Sequence, residues 1–394
     1  MASAGDGRAA ADDETALEPL CLSIQSHGEA AQLAAARSRC DEFGVRFRCL
    51  AVVHGYVGNR CAVLALQLHG IEADCVNSVQ LSNHTGYGHF KGQVLSGEDL
   101  DSLTGGLRTN GLLAAYTHVL TGYIGSESFL RRVVGVVDEI RDCHRAAGRP
   151  DVSWVCDPVL GDDGRCYVPE SLVSVYRSEV VRRATTLTPN QFEAELLSGV
   201  SIRDLSGACE ALAALHDMGC PTVVMTSSDL PEAGEGKMLL VASCPWEAVE
   251  GDSRLWPEGE FGLGDSACFA VRIPRLEGAF TGTGDLTSSL LLALGERQGR
   301  GKLASACLLA VRALQAVCRV TAEFAASPAG QARARAAEEV AASSGAPGAK
   351  APPPELRLVQ ARKHITDPPQ CDGVSWHAVV SGAVCPAVSF DGRD

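Results

Sequence analysis

Six short apolar runs, at 20–26, 73–82, 117–123, 152–159, 184–190 and 221–228, alternate with stretches of helical periodicity at 126–146, 191–199 and 207–219. Runs such as VSWVCDPV are apolar over almost their whole length, as strands covered by helices on both faces must be. Each helical stretch closes near a glycine. Few architectures accept this strand, helix, strand rhythm. It predicts an α/β chain built on a parallel sheet with helices on both faces, where ligands bind beyond the C-terminal ends of the strands. The polar residues at those ends are the ones to read for chemistry.

Composition narrows the partners. With 34 basic against 48 acidic residues, no Lys/Arg block and 5% aromatics, the chain lacks a surface suited to phosphate backbones or anionic lipid. We expect no nucleic-acid partner and no membrane, because no apolar run reads as the roughly 20 residues that cross a bilayer. The 16 cysteines include no Cys-x-x-Cys pair, and the opening MASAGDGRAAADDETALEPL has no apolar signal core. Reduced thiols and a cytoplasmic location follow as expectations.

A Gly-Thr-Gly-Asp quartet at 282–285 stands where GAFTGTGDLTSSLLLA turns into an apolar helix. Glycines let the backbone curl so that several N–H groups point one way, and the helix adds its positive end, which together cradle anionic phosphate oxygens. Asp285 at that mouth has two readings: an N-cap on a glycine turn, or a base that takes the proton of an attacking hydroxyl while the cradle holds a phosphoryl group. In TPNQFEAE (188–195), Asn190 and Glu193 form a capping box; a carboxylate and an amide there also organise water around a magnesium ion on nucleotide phosphates. CDPVLGDDG (156–164) ends a strand in Asp157, with Asp162 following Gly161; both are turn formers or cation recruiters. The hydroxyls of TSSDLP (226–231) are turn caps or phosphate contacts.

These stretches, with LSIQSH (22–27), the run from GYVGNR to GQVL (55–95), VLTGYIG (119–125), YVPESLV (167–173) and ELRLVQARKHITDP (355–368), resemble pyridoxal kinases in order and nearly throughout. The resemblance implies a ribokinase-like three-layer α/β/α sandwich with a mostly parallel central sheet, commonly a homodimer, that moves the γ-phosphoryl of ATP to the 5′-hydroxyl of pyridoxal, pyridoxine or pyridoxamine. By resemblance, Asp285 is the base and Gly282, Thr283 and Gly284 supply the anion hole. Ser26 and Thr85 hold the substituted pyridine, between walls made by Val57, His84 and Tyr123. Asp157, Thr188 and Glu193 fall at the metal-binding positions, for Mg2+ (or another divalent ion) on ATP with K+ or Na+ nearby. Asp162, Tyr167, Asn190, Thr226, Ser227 and Thr283 match nucleotide contacts, and Leu276, Glu277 and Gly278 lie where the adenosine rests.

The same resemblance divides the chain. A disordered extension is expected at 1–19, the kinase domain at 20–324, a low-complexity surface linker with one loose helix around 331–342 at 325–354, a C-terminal segment packing back at 355–377, and a tail at 378–394. Residues 28–51 interrupt a motif that closes without them as SIQSHVVHGYVGNR, so they are an addition, either a surface flap or translated intron. Three rivals remain: a related kinase for a hydroxymethylpyrimidine or a sugar, a homologue impaired by the insertion that binds without turnover, and a vitamer carrier. The first would share GTGD and NQFE but not SVQLSNHTGY.

Overall fold

The computed structural model describes residues 18–25, 52–87, 89–162, 164–166, 168–249, 266–299, 301–343, 354–380 and 383–390. The expectations for 1–17, Ser26, 28–51, Tyr167, 344–353 and 391–394 lie outside them. The strands are β1 (Leu20–Ile24), β2 (Val52–His54), β3 (Glu72–Val76), β4 (Val79–Asn83), β5 (Gly92–Val94), β6 (His118–Thr121), β7 (Ser153–Cys156), β8 (Gly161–Asp162), β9 (Arg165–Cys166), β10 (Thr186–Leu187), β11 (Thr222–Ser228), β12 (Lys237–Pro245), β13 (Ser266–Pro274), β14 (Ser375–Val380) and β15 (Ala383–Phe390). The α-helices are α1 (Asn59–Leu68), α2 (Gly97–Thr109), α3 (Glu127–Ala146), α4 (Glu170–Val175), α5 (Gln191–Ser198), α6 (Leu205–Asp217), α7 (Thr283–Gln298), α8 (Leu303–Ala326), α9 (Pro328–Ser343) and α10 (Arg362–Thr366).

Ten strands form one sheet in the order β15-β14-β13-β12-β11-β10-β7-β6-β1-β3. The run from β11 to β3 is parallel, whereas β12 to β15 add an antiparallel edge. Both faces are covered, and the pleat of β13 shows it. Ala267, Phe269, Val271 and Ile273 enter one apolar cluster with Leu290, Val317 and Trp376, while Cys268 and Ala270 enter another with Phe129, Trp154 and Tyr176. The architecture is the mostly parallel α/β sandwich that the alternation of apolar runs implies.

Local signals explain the helices that frame the sheet's C-terminal edge. Along α3, Phe129, Leu130, Val133, Val134, Val137 and Ile140 recur at helical spacing and are buried, with Glu127 in the first turn and Arg145 in the last, each favoured by the helix dipole. Helix α5 begins with the full capping box of Asn190 and Glu193 and ends at Gly199, whose φ of 79° is open to glycine. Helix α7 is buried continuously from Asp285 to Leu294 and packs between α1 and α8, so it is a core helix rather than an amphipathic cover.

Five expectations need correction. The run 73–82 is two strands, not one: β3 lies at the edge of the large sheet, whereas β4 pairs with β2 and β5 in a separate three-stranded sheet. Asn77 and Ser78 break the run, since the Asn59 amide bonds Val76 O and Asn77 Oδ1 at this point. The strand expected at 184–190 shortens to β10, because Asn190 is already the cap of α5. The helix expected at 331–342 extends to 328–343; Gly330 packs against the end of α8, where an added Cβ would fall 2.0 Å from Phe324 O. Where a tail was expected from 378, β14 and β15 extend the sheet instead. Finally, α8 is long and apolar enough to cross a membrane by length and composition, yet two thirds of its most apolar window is buried against the rest of the chain.

Candidate active site

The Gly-Thr-Gly-Asp turn is bent by contact with another loop. Gly282 has a φ of 90°, and a Cβ on it would sit 2.4 Å from Tyr56 O and 3.4 Å from Val57 Cγ1. Only glycine allows that approach. The turn is tied further by the Cys61 thiol, 3.7 Å from Gly282 O. Gly282 is the N-cap of α7 and makes no side-chain cap; Asp285 is in the first turn instead, so the N-cap reading of Asp285 is overturned. Its carboxylate is almost fully buried, and it interacts with the backbone N–H of Gly58. Burial raises its pKa to about 7, while that N–H and the nearby His84 pull it down.

A second carboxylate stands across the turn. Asp157 follows β7, and its Oδ2 lies 3.3 Å from where a Gly284 Cβ would be. Burial pushes Asp157 well above the ordinary carboxylate range, and Glu193 and Asp285 add to the shift. Val159, two residues on, has a φ of 44°, an outlier for a β-branched residue. Glu193 holds that strained turn. Its Oε1 accepts from Leu160 N at 2.7 Å and Gly161 N at 3.4 Å, and its Oε2 from Asn190 N at 3.0 Å. Asn190 adds a bond from Nδ2 to Gly161 O at 2.8 Å. Burial raises Glu193 to about 7 against these three amides. The capping box is therefore present, and it clamps the 157–162 loop onto α5.

The remaining candidates divide. Thr188 is buried beside the same loop, its N–H bonded to Cys156 O at 3.0 Å. The Thr226 hydroxyl reaches Pro189 O at 3.4 Å at the β11 irregularity, a strand-end cap, and Ser227 follows it, half-buried. Val57, His84, Thr85 and Tyr123 are all buried. Tyr123 packs on Gly125 and its carbonyl accepts from the Ser78 hydroxyl at 3.0 Å. Asp162 is exposed on the β8–β9 hairpin, and Thr283 is half-buried at the start of α7. Leu276 is half-buried, and Glu277 and Gly278 are exposed on the loop after β13.

Sequence reasoning missed a second tier. Ser23 donates to Asn59 Oδ1 at 2.8 Å, and the Gln25 amide donates to Ser23 at 3.1 Å. This buried network fixes the start of α1, directly after Gly58. Glu355 was missed as well. It accepts from Tyr56 N at 3.0 Å, Tyr87 Oη at 2.8 Å and His84 Nε2 at 3.1 Å. Both lie inside stretches that carry the family resemblance, which was the available signal. Among the described residues, no three His, Cys, Asp or Glu side chains close into a metal cluster.

A buried carboxylate on a glycine-rich helix mouth, faced by acidic loops at the C-terminal edge of such a sheet, is the arrangement of a ribokinase-like small-molecule kinase. A family model for phosphomethylpyrimidine kinase matches residues 133–255. The pyridoxal kinase of Homo sapiens is 41% identical over 323 residues, 80% of this chain and 93% of that one. That of Arabidopsis thaliana is 46% identical over 269 residues, 68% of this chain and 79% of that one. The structure of pyridoxal kinase from Leishmania donovani in complex with ADP and pyridoxamine superposes with a TM-score of 0.69 at 31% identity, covering 93% of this chain and 99% of that one. The chain belongs to the pyridoxal kinase family.

Proposed function

We propose that this chain transfers the γ-phosphoryl of ATP to the 5′-hydroxyl of pyridoxal, pyridoxine or pyridoxamine, giving the 5′-phosphates. The observation that carries it is Asp285, buried at the mouth of α7 with its pKa lifted to about 7, where a carboxylate exchanges a proton near neutrality. Asp285 accepts the 5′-hydroxyl proton as attack proceeds. A positioned base is worth typically about 10² to 10⁴ in rate. The amides of Gly282, Thr283 and Gly284 face the transferring group, each well-aimed donor contributing about 2.7 to 4 kcal/mol. Val57, His84, Thr85, Tyr123 and, outside the described residues, Ser26 hold the vitamer; Asp162, Asn190, Thr226, Ser227, Thr283, the 276–278 loop and Tyr167, also outside them, hold the nucleotide.

Magnesium bound to the ATP phosphates would offset their charge and align them. Asp157 fits that role on its own geometry: a buried carboxylate facing the Gly284 turn, with Glu193 and Asp285 repelling its charge, is stabilised by a cation. Thr188 lines the same loop, whereas Glu193 has both oxygens engaged by amides and acts by holding the loop. A monovalent cation, K+ or Na+, a homodimeric assembly and a cytoplasmic location complete the reading.

Incubation with ATP, magnesium, potassium and pyridoxal, followed by detection of pyridoxal 5′-phosphate, tests the proposal. Turnover of a hydroxymethylpyrimidine in place of pyridoxal would replace it with the rival kinase, and tight vitamer binding without product would mark an impaired homologue.

A further inference from the structure

The C-terminal segment supplies a side chain to a place where two distant loops meet. Glu355 is separated by 271 residues from His84, 268 from Tyr87 and 299 from Tyr56, yet its carboxylate bonds all three. The seat is built for it. Gly55, with a φ of 106°, leaves the space, since a Cβ there would lie 2.8 Å from Glu355 Oε1 and 2.9 Å from Oε2. Three donors converge, which is what an ionised carboxylate accepts and an amide does not. Burial opposes that charge, but the bonds from His84, the Tyr56 N–H and the Tyr87 hydroxyl outweigh it and hold the carboxyl at about 2.

The same contact orients His84. The Gly86 N–H donates to His84 Nδ1 at 3.1 Å, so Nδ1 is the acceptor and the ring proton sits on Nε2, facing Glu355. Tyr87 packs edge-on against the ring, 4.8 Å between centroids. The 54–58 loop carries Val57 and the Gly58 N–H that meets Asp285; the 84–87 loop carries His84 and Thr85. One carboxylate thus joins the two loops that wall the vitamer side of the site.

We propose that Glu355 is a positioning residue for the vitamer pocket, holding the His84 tautomer and the 54–58 loop in place without touching the nucleotide side. This rests on the vitamer kinase reading given above. A cavity of about 230 Å³ lined by His54, Gly55, Tyr56, Arg60 and Glu355 adjoins the seat. Water can reach the donors when the carboxylate is removed, so the fold should survive.

Glu355→Gln keeps the shape but turns an N–H₂ group toward the Tyr56 N–H; Tyr87→Phe removes one donor alone. For Glu355→Gln we expect the KM for pyridoxal to rise about tenfold while that for ATP stays within about twofold, a split that a fall in folded fraction does not produce. Tyr87→Phe should move it the same way by less. Peptide-level hydrogen exchange should show faster exchange over 54–58 and 82–87 in Glu355→Gln and not over 282–286. Unchanged KM for pyridoxal, parallel rises for both substrates, or unchanged exchange at both loops overturns the proposal. A wild-type chain that fails to phosphorylate pyridoxal sinks the vitamer reading instead, and the exchange comparison still decides whether Glu355 holds the loops.

Discussion

Replacing Asp285 by asparagine separates the chemistry of this side chain from its cost to the fold. Asparagine keeps the size and an oxygen that accepts from the Gly58 N–H, but it takes no proton and carries no charge to bury. Burial moves the carboxyl from an ordinary 3.8 to about 7. The folded chain therefore binds this proton more tightly than the unfolded chain does. Its contribution favours the fold at low pH, is lost progressively as pH rises from about 4 to about 7, and is level above that. At about 1.4 kcal/mol per pH unit the full cost of the buried charge is on the order of 4 kcal/mol. Asp285→Asn should thus raise the thermal midpoint by several degrees at pH 8 and leave it unchanged near pH 4. Turnover should fall by about two orders of magnitude or more, with ATP binding nearly intact. In the wild-type chain, kcat/KM should climb with pH through about 7 and then level off as the base ionises. Differential scanning fluorimetry across pH, with a coupled kinase assay on both proteins, reads all of this. Near-native turnover in the variant, or a midpoint gain no larger at pH 8 than at pH 4, would refute the reasoning.

Activity should require magnesium or another divalent ion and be stimulated by potassium or sodium, because Asp157 faces the Gly284 turn and Thr188 lies beside the same loop, where the proposed cation would sit. Titrating each ion after chelation checks this, and full activity without any divalent ion would reject it. Deleting 28–51 should leave stability equal or better and lower the KM for pyridoxal while barely changing that for ATP, since in the chain the segment lies between β1 and β2, on the way to Val57, and each doubling of loop length costs only about 0.6 kcal/mol. An unfolded or inactive deletion would make the segment integral. Glu193→Ala should cost on the order of 2 kcal/mol by leaving the Leu160, Gly161 and Asn190 amides without their acceptor. Urea unfolding near pH 4, below the ordinary value of 4.5, where the buried charge does not yet weigh on the wild type, reads that loss; an unshifted midpoint there argues against the clamp.

The central parallel strands β1, β6, β7 and β11 were legible in the sequence because they are covered on both faces and so write largely apolar runs, with helices between that carry their own caps. The Gly-Thr-Gly-Asp turn and the Asn190 capping box were legible for the same reason: their geometry is local, set within four residues. What the sequence left open was whether Asp285 caps a helix or faces a site. Only the fold decided that, by laying the Tyr56–Gly58 loop across the turn so that no side chain fits at Gly282 and water is excluded from the carboxylate. The far part of the antiparallel edge stayed unread because β13 pairs with β14 more than a hundred residues away, a partnership no short window records. Glu355 is the extreme case. As a residue it is one of the 48 acids on an acidic chain. Its meaning comes from three donors gathered from loops some 270 to 300 positions distant, which only the folded chain brings within hydrogen-bonding distance.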